Sequence, residues 1–142
     1  MFDFQDGNGP VPAKRHRNSD GSEGGWVADT ASVAPTVYVG KDAMVSGNAR
    51  VSDNAQVFGY AHVFGNACVF NDARVFGNAS VFDNAWVFGN ACVFDYAWIS
   101  DNARVSGNAG VFGNACVFDY ACVSGDTHVS SFARVCGKTY LA

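Results

Sequence analysis

The sequence predicts an all-β chain, a β-solenoid of very short parallel strands behind an irregular N-terminal segment. Two observations carry that prediction. From Val27 an aliphatic residue recurs every six positions to Leu141 with no insertion or deletion, and it is Val everywhere except Ile99 and Leu141. Four positions into each complete unit stands a small residue, nearly always Ala, as at Ala55, Ala61, Ala67 and Ala73, with Val37, Thr127 and Thr139 as departures. A short period sustained this long specifies a repeat architecture.

Clear units such as Val63-Phe-Gly-Asn-Ala-Cys and Val87-Phe-Gly-Asn-Ala-Cys can be rewritten Ala-x-Val-x-Gly-Asn. Ala and Val, two apart, share one face of a strand, and the residues flanking Val point away. Gly-Asn then breaks the strand. Both residues tolerate positive φ, and Asn in the second corner position is expected to take the left-handed conformation. One hexad cannot bury its Val alone, and equivalent units give the chain no reason to double back. Stacked parallel coils bury every Val and Ala in one continuous core.

Taken in order, residues 1–26 form a cap or linker segment and residues 27–142 the repeat domain. Phe2 and Phe4 alternate as a strand would, Lys14-Arg-His-Arg17 is a short basic run expected to be solvated, and Asp20 to Gly25 reads as turn or linker. The segment is expected to cover the first coil, with Trp26 at the junction, because an open coil shows apolar core and unpaired strand edges. The corners between Val27 and Met44 are degenerate, as terminal repeats tend to be. From Val45 they settle to Gly-Asn or Asp-Asn, with Tyr60, Tyr96, Tyr120 and Phe132 replacing Asn. The sequence stops at Tyr140-Leu-Ala142 in mid-pattern, and an uncovered coil templates another chain. The expectation is a homo-oligomer: a trimer, a dimer or an end-to-end polymer.

Over Val27 to about Leu141 the pattern resembles the hexapeptide-repeat family. The resemblance implies a left-handed parallel β-helix with three hexads per triangular coil. Nineteen complete hexads would then make about six coils, with equivalent residues of successive coils stacked at roughly 4.8 Å. On that winding Phe58, Phe76, Phe94 and Phe112 form one unbroken ladder, Phe64 and Phe82 share a second face, and Phe70 and Phe88 a third. Trp86 and Trp98 add outward bulk. Stacked aromatics stabilise a solenoid laterally, yet large exposed apolar patches usually mark partner surfaces. These rows are therefore the expected interaction surface. Tyr60, Tyr96 and Phe132 fall on one corner in every second coil, a further contact candidate.

Charge narrows the partners. Nine Lys and Arg against thirteen Asp and Glu leave a net charge of −4, with cations scattered singly, which argues against nucleic acid. No apolar run is long enough to span a bilayer, and the N-terminus lacks the apolar core of a signal peptide, so a cytoplasmic location is the expectation. Five cysteines, no two of which face each other across adjacent coils on that winding, suit a reducing compartment and show no paired metal-ligand spacing. No metal or cofactor is expected.

The family resemblance also implies an enzyme alternative, since its best-known members are trimeric acyltransferases with a His base near a loop that interrupts the coil. This chain has no such loop. His62 or His128 would be the base at a subunit boundary, and acetyl-CoA the cofactor. The zinc-dependent carbonic anhydrases of the same family need three converging His, which His62 and His128 cannot supply. The favoured expectation is a non-catalytic scaffold that self-associates or binds a protein through its Phe ladders and coil ends. A ligand or protein trap of a bacterial or phage accessory protein is the third.

Overall fold

The computed structural model describes residues 1–142, which form strands and turns with no helix. Each hexad contributes one two-residue strand, from β5 (Ser32–Val33) to β23 (Tyr140–Leu141), and the longer β4 (Glu23–Ala28) opens the series. Every rung pairs in parallel with the rung three hexads later: Val27 with Val45, Val45 with Val63, Val63 with Val81. The chain is thus a β-solenoid of about six turns with three hexads per turn. Sheet 1 has eight strands and carries Val27 to Val135. Sheet 2 has seven, from Val33 to Leu141, and sheet 3 has six, from Val39 to Val129.

Val and Ala fill the interior as the two-residue spacing requires. From Val37 through Val123 they form one continuous cluster, each at most 1 % exposed. A strand of two residues suffices because backbone pairing continues around the corners. Phe58 N–H donates to Val75 C=O at 3.0 Å, and Tyr60 N–H to Gly77 C=O at 2.7 Å. Each coil is therefore hydrogen-bonded to the next along almost its whole length, which satisfies the backbone donors the solenoid buries.

The corners correct one expectation. Each is a four-residue turn, closed for example by Ala61 N–H donating to Phe58 C=O at 3.3 Å. Positive φ falls on the first central residue, not the second: Gly59 at 63°, Asp83 at 56°, Asn71 at 59°, Ser131 at 59°. The second position keeps negative φ, so Tyr60, Tyr96 and Phe132 sit in unstrained seats. Asp in the first position has its own reason. Its carboxylate accepts the backbone N–H of the corner one coil on, as Asp101 Oδ2 does from Asp119 N–H at 3.0 Å and Asp95 Oδ2 from Gly113 N–H at 3.0 Å.

The N-terminal residues do two things. β3 (Ala13–Arg17) runs antiparallel to β4 along the first edge of sheet 1. Beyond it Asn18, buried, bonds both N–H and C=O of Val39 (2.9 and 3.0 Å), and His16 Nε2 meets Val37 C=O at 2.8 Å, so the same stretch also covers sheet 3. The basic run is therefore a strand knitted into the first coil, with Lys14 and Arg17 exposed as expected and Arg15 and His16 partly buried. Arg15 bonds Gly24 C=O, lies over the Trp26 ring at 5.1 Å and approaches Glu23 at 3.7 Å. Gly24 and Gly25 are strand residues, not linker. A Cβ on Gly25 would overlap the Ala43 carbonyl oxygen, which is why the chain needs glycine there. Ahead of β3, the small hairpin of β1 (Phe2–Asp3) and β2 (Pro10–Val11) folds over the outer face of sheet 1.

Candidate functional site

The residue after each Val is the first residue of the turn, so its side chain lies on the shoulder of an edge. The Phe residues there stack on one another. Along the edge between sheets 3 and 1, Phe58, Phe76, Phe94 and Phe112 are 4.7 to 4.9 Å apart with ring planes within 6° of parallel. Phe64 and Phe82 do the same between sheets 1 and 2 (4.9 Å, 4°), and Phe70 and Phe88 between sheets 2 and 3 (4.9 Å, 0°). All eight are half-buried. The rows the sequence marks as an interaction surface are brought together, but much of their area is spent on each other.

The large apolar groups left exposed are others. Tyr60 (67 %), Tyr96 (61 %) and Phe132 (80 %) project from the edge between sheets 3 and 1, directly beside the Phe58 ladder. Tyr120 stands alone on the edge between sheets 1 and 2. Trp86 edges onto Phe70 (5.9 Å) and Phe88 (6.4 Å) with the Arg104 guanidinium 4.7 Å over its ring, and Trp98 edges onto Phe82 at 6.0 Å. Trp86 and Trp98 lie on different sheets, so they do not form one patch.

His62 and His128 lie on sheets 1 and 3 and do not converge. His128 is exposed, with its ring close to Gly110, where a Cβ would come within 2.9 Å of Nδ1. His62 is not the solvated surface residue its outward slot implies. Its Nε2 is 2.8 Å from Ser46 Oγ, its ring packs on Phe64 at 4.3 Å, and Phe4, only 2 % exposed, covers it at 6.2 Å. Burial pushes its pKa down to about 4, partly opposed by the Asp6 carboxylate. The Ser46 partner was hidden from sequence reasoning because it sits on a diagonal across the coil, while the residue stacked directly below His62 is Met44.

Nothing here builds a metal centre: no three His, Cys, Asp or Glu side chains converge. The five cysteines are free thiols, and burial pushes the Cys68 thiol up against the pull of Arg50.

Against known proteins, residues 43–59 and 97–112 match the YdcK beta solenoid repeat family. The two stretches are a minority of the chain and lie in the regular body of the solenoid, so they speak to architecture. No curated protein and no solved structure matches the chain.

Proposed function

We propose that this chain is a rigid, non-catalytic scaffold of the hexapeptide-repeat type, wound left-handed, that associates with a second copy of itself through the edge between sheets 3 and 1. The observation that carries the reading is the row of exposed aromatics on that edge. Tyr60, Tyr96 and Phe132 are all more than 60 % exposed, with Asn78 and Asn114 on the rungs between them. The knobs recur every second coil, roughly 9.6 Å apart, and leave a one-coil notch between neighbours. A second copy, antiparallel and offset by one coil, fits its knobs into those notches, an isologous contact of the kind that closes a dimer. Rigid aromatic side chains beside an apolar ladder are also what buried interface cores contain.

The acyltransferase alternative with acetyl-CoA is less well supported. His62 has Nε2 engaged by Ser46 and a pKa near 4, a poor general base near neutral pH. His128 is exposed, with no hydrogen-bond partner to orient it. Free thiols throughout favour a reducing, cytoplasmic setting. The test is molar mass by light scattering across concentration. The native chain should form a discrete dimer or higher oligomer, and the triple variant Tyr60→Ser, Tyr96→Ser, Phe132→Ser should be monomeric with an unchanged circular dichroism spectrum. A native chain that stays monomeric at high concentration refutes the reading.

A further inference from the structure

The Phe row between sheets 1 and 2 has a missing rung. Reading up that shoulder, Phe64 and Phe82 are followed by Ser100 and then Phe118. The register of the flanking strands, Ser80 with Trp98 and Trp98 with Cys116, places Ser100 one coil above Phe82 and one below Phe118. The Phe58 row is unbroken, and the Phe70 row carries no Phe beyond Phe88, so Ser100 is the one vacancy with a ring on both sides. Neighbouring rings in these rows are 4.7 to 4.9 Å apart, so two coils leave room for one ring stacked at ordinary distance from each neighbour.

The structure has a cleft at this point, about 340 Å³ in volume. Phe82 and Phe118 close it along the solenoid axis, Trp98 and Cys116 form its wall, and Ser100 its floor. Trp98, turned edge-on to Phe82 at 80°, is 54 % exposed, so the wall stands open to a ligand. The polar rim is unbalanced: it carries the carboxylates of Asp83 and Asp101 against the single guanidinium of Arg134. Each carboxylate accepts a backbone N–H through Oδ2, from Asp101 at 3.3 Å and Asp119 at 3.0 Å, and each leaves Oδ1 with no protein partner. Arg134 forms no ion pair.

We propose that the vacancy at Ser100 is a binding slot for one small planar aromatic ligand carrying a cationic group, its ring stacked between Phe82 and Phe118 and its charge at Asp83 and Asp101. Stacking supplies affinity for any flat ring of the right size, and the two fixed carboxylates supply the preference for positive over negative ligands.

The probes are tryptamine, indole and indole-3-acetate, added to the full chain at up to about 5 mM, a range that reaches weak small-ligand affinities. Two readouts apply: amide chemical shifts of Ser100 and Cys116, and the rate of Cys116 alkylation with Cys92, on sheet 3, as the control thiol. Tryptamine should shift both amides and slow Cys116 alkylation several-fold while Cys92 is unchanged. It should bind several-fold tighter than indole-3-acetate, and Asp83→Asn with Asp101→Asn should erase that preference while indole binding persists. Ser100→Phe supplies the missing ring and should abolish binding of all three. No response to any probe, a preference for indole-3-acetate, or undiminished binding in folded Ser100→Phe overturns the proposal. Protein-concentration-dependent shifts at the same amides without ligand would make a second copy the occupant and overturn it as well.

Discussion

Acidification should lift the N-terminal hairpin off sheet 1 before it melts the solenoid. The group responsible is His62, whose ring is packed under Phe4 and against Phe64 with Nε2 at Ser46. Burial holds its pKa at about 4, against 6.5 for a free imidazole, and the Asp6 carboxylate opposes this only in part. A depressed folded pKa means the open state binds more protons between the two values. The stability His62 contributes is therefore fully present above pH 6.5 and lost as pH falls through 4. The drop corresponds to about 3 kcal/mol, and by pH 4 the open population should rise about a hundred-fold over pH 7. The hairpin feels this first, because it is a two-stranded element joined to the coil by few groups and such hairpins are marginal alone. Its anchors are the Phe2 ring on Trp26 at 4.8 Å and the Phe4 ring over His62. Amide hydrogen exchange of residues 2–11 from pH 7 to 4, corrected for intrinsic rates, measures the opening, and the imidazole NMR titration of His62 measures the cause. His62→Gln removes the titrating group and should flatten the profile while leaving His16 at Val37 untouched. A His62 midpoint near 6.5, or hairpin exchange that is flat in the native chain, would refute the reasoning.

Two further outcomes test the reading of edges and corners. Phe76→Ser breaks two ring stacks in the Phe58 row and should cost about 2 kcal/mol in urea unfolding, whereas Tyr120→Ser should stay within about 0.5 kcal/mol because its ring is exposed and lies outside the proposed contact. Equal costs would mean the ladder contributes no lateral stability. Gly59→Ala places a Cβ 2.9 Å from the Gly77 nitrogen at φ 63° and should destabilise by about 1–2 kcal/mol. Gly59→Asp should cost less, because its carboxylate can take the Gly77 N–H as Asp95 takes that of Gly113; thermal unfolding of the pair decides.

The solenoid was legible because every unit gives the same answer. Val and Ala two apart can share only one strand face, and 19 repetitions leave no other consistent burial. The assignment of positive φ to Asn failed where the composition of the two corner positions held the signal. The first admits only Gly, Asp, Asn and Ser from Gly47 onward, while the second accepts Tyr60, Tyr96, Phe132 and Lys138. A left-handed seat excludes bulky side chains, so the tolerant position had to be the other one. The hairpin and the basic strand were not legible locally. Lys14 to Arg17 owes its conformation to the exposed first edge of the solenoid, which offers partners to any extended backbone whatever its side chains. His62 shows the same limit from the other direction. Its slot points outward in every hexad, and only Phe4, reaching over from the N-terminal segment, makes it a buried group.

Period locates what is repeated, so it is silent about departures from it. Ser100 among phenylalanines, Tyr60 and Tyr96 among asparagines, and His62 stacked between Met44 and Ser80 are invisible to the rule that builds the core. A uniform rod gives a partner or ligand no preferred position along its axis, because each coil presents what the last one did. Any specific contact this chain makes must therefore be set by those departures, and a variant that restores the period at Ser100 removes a recognition feature while leaving the rule that builds the fold untouched.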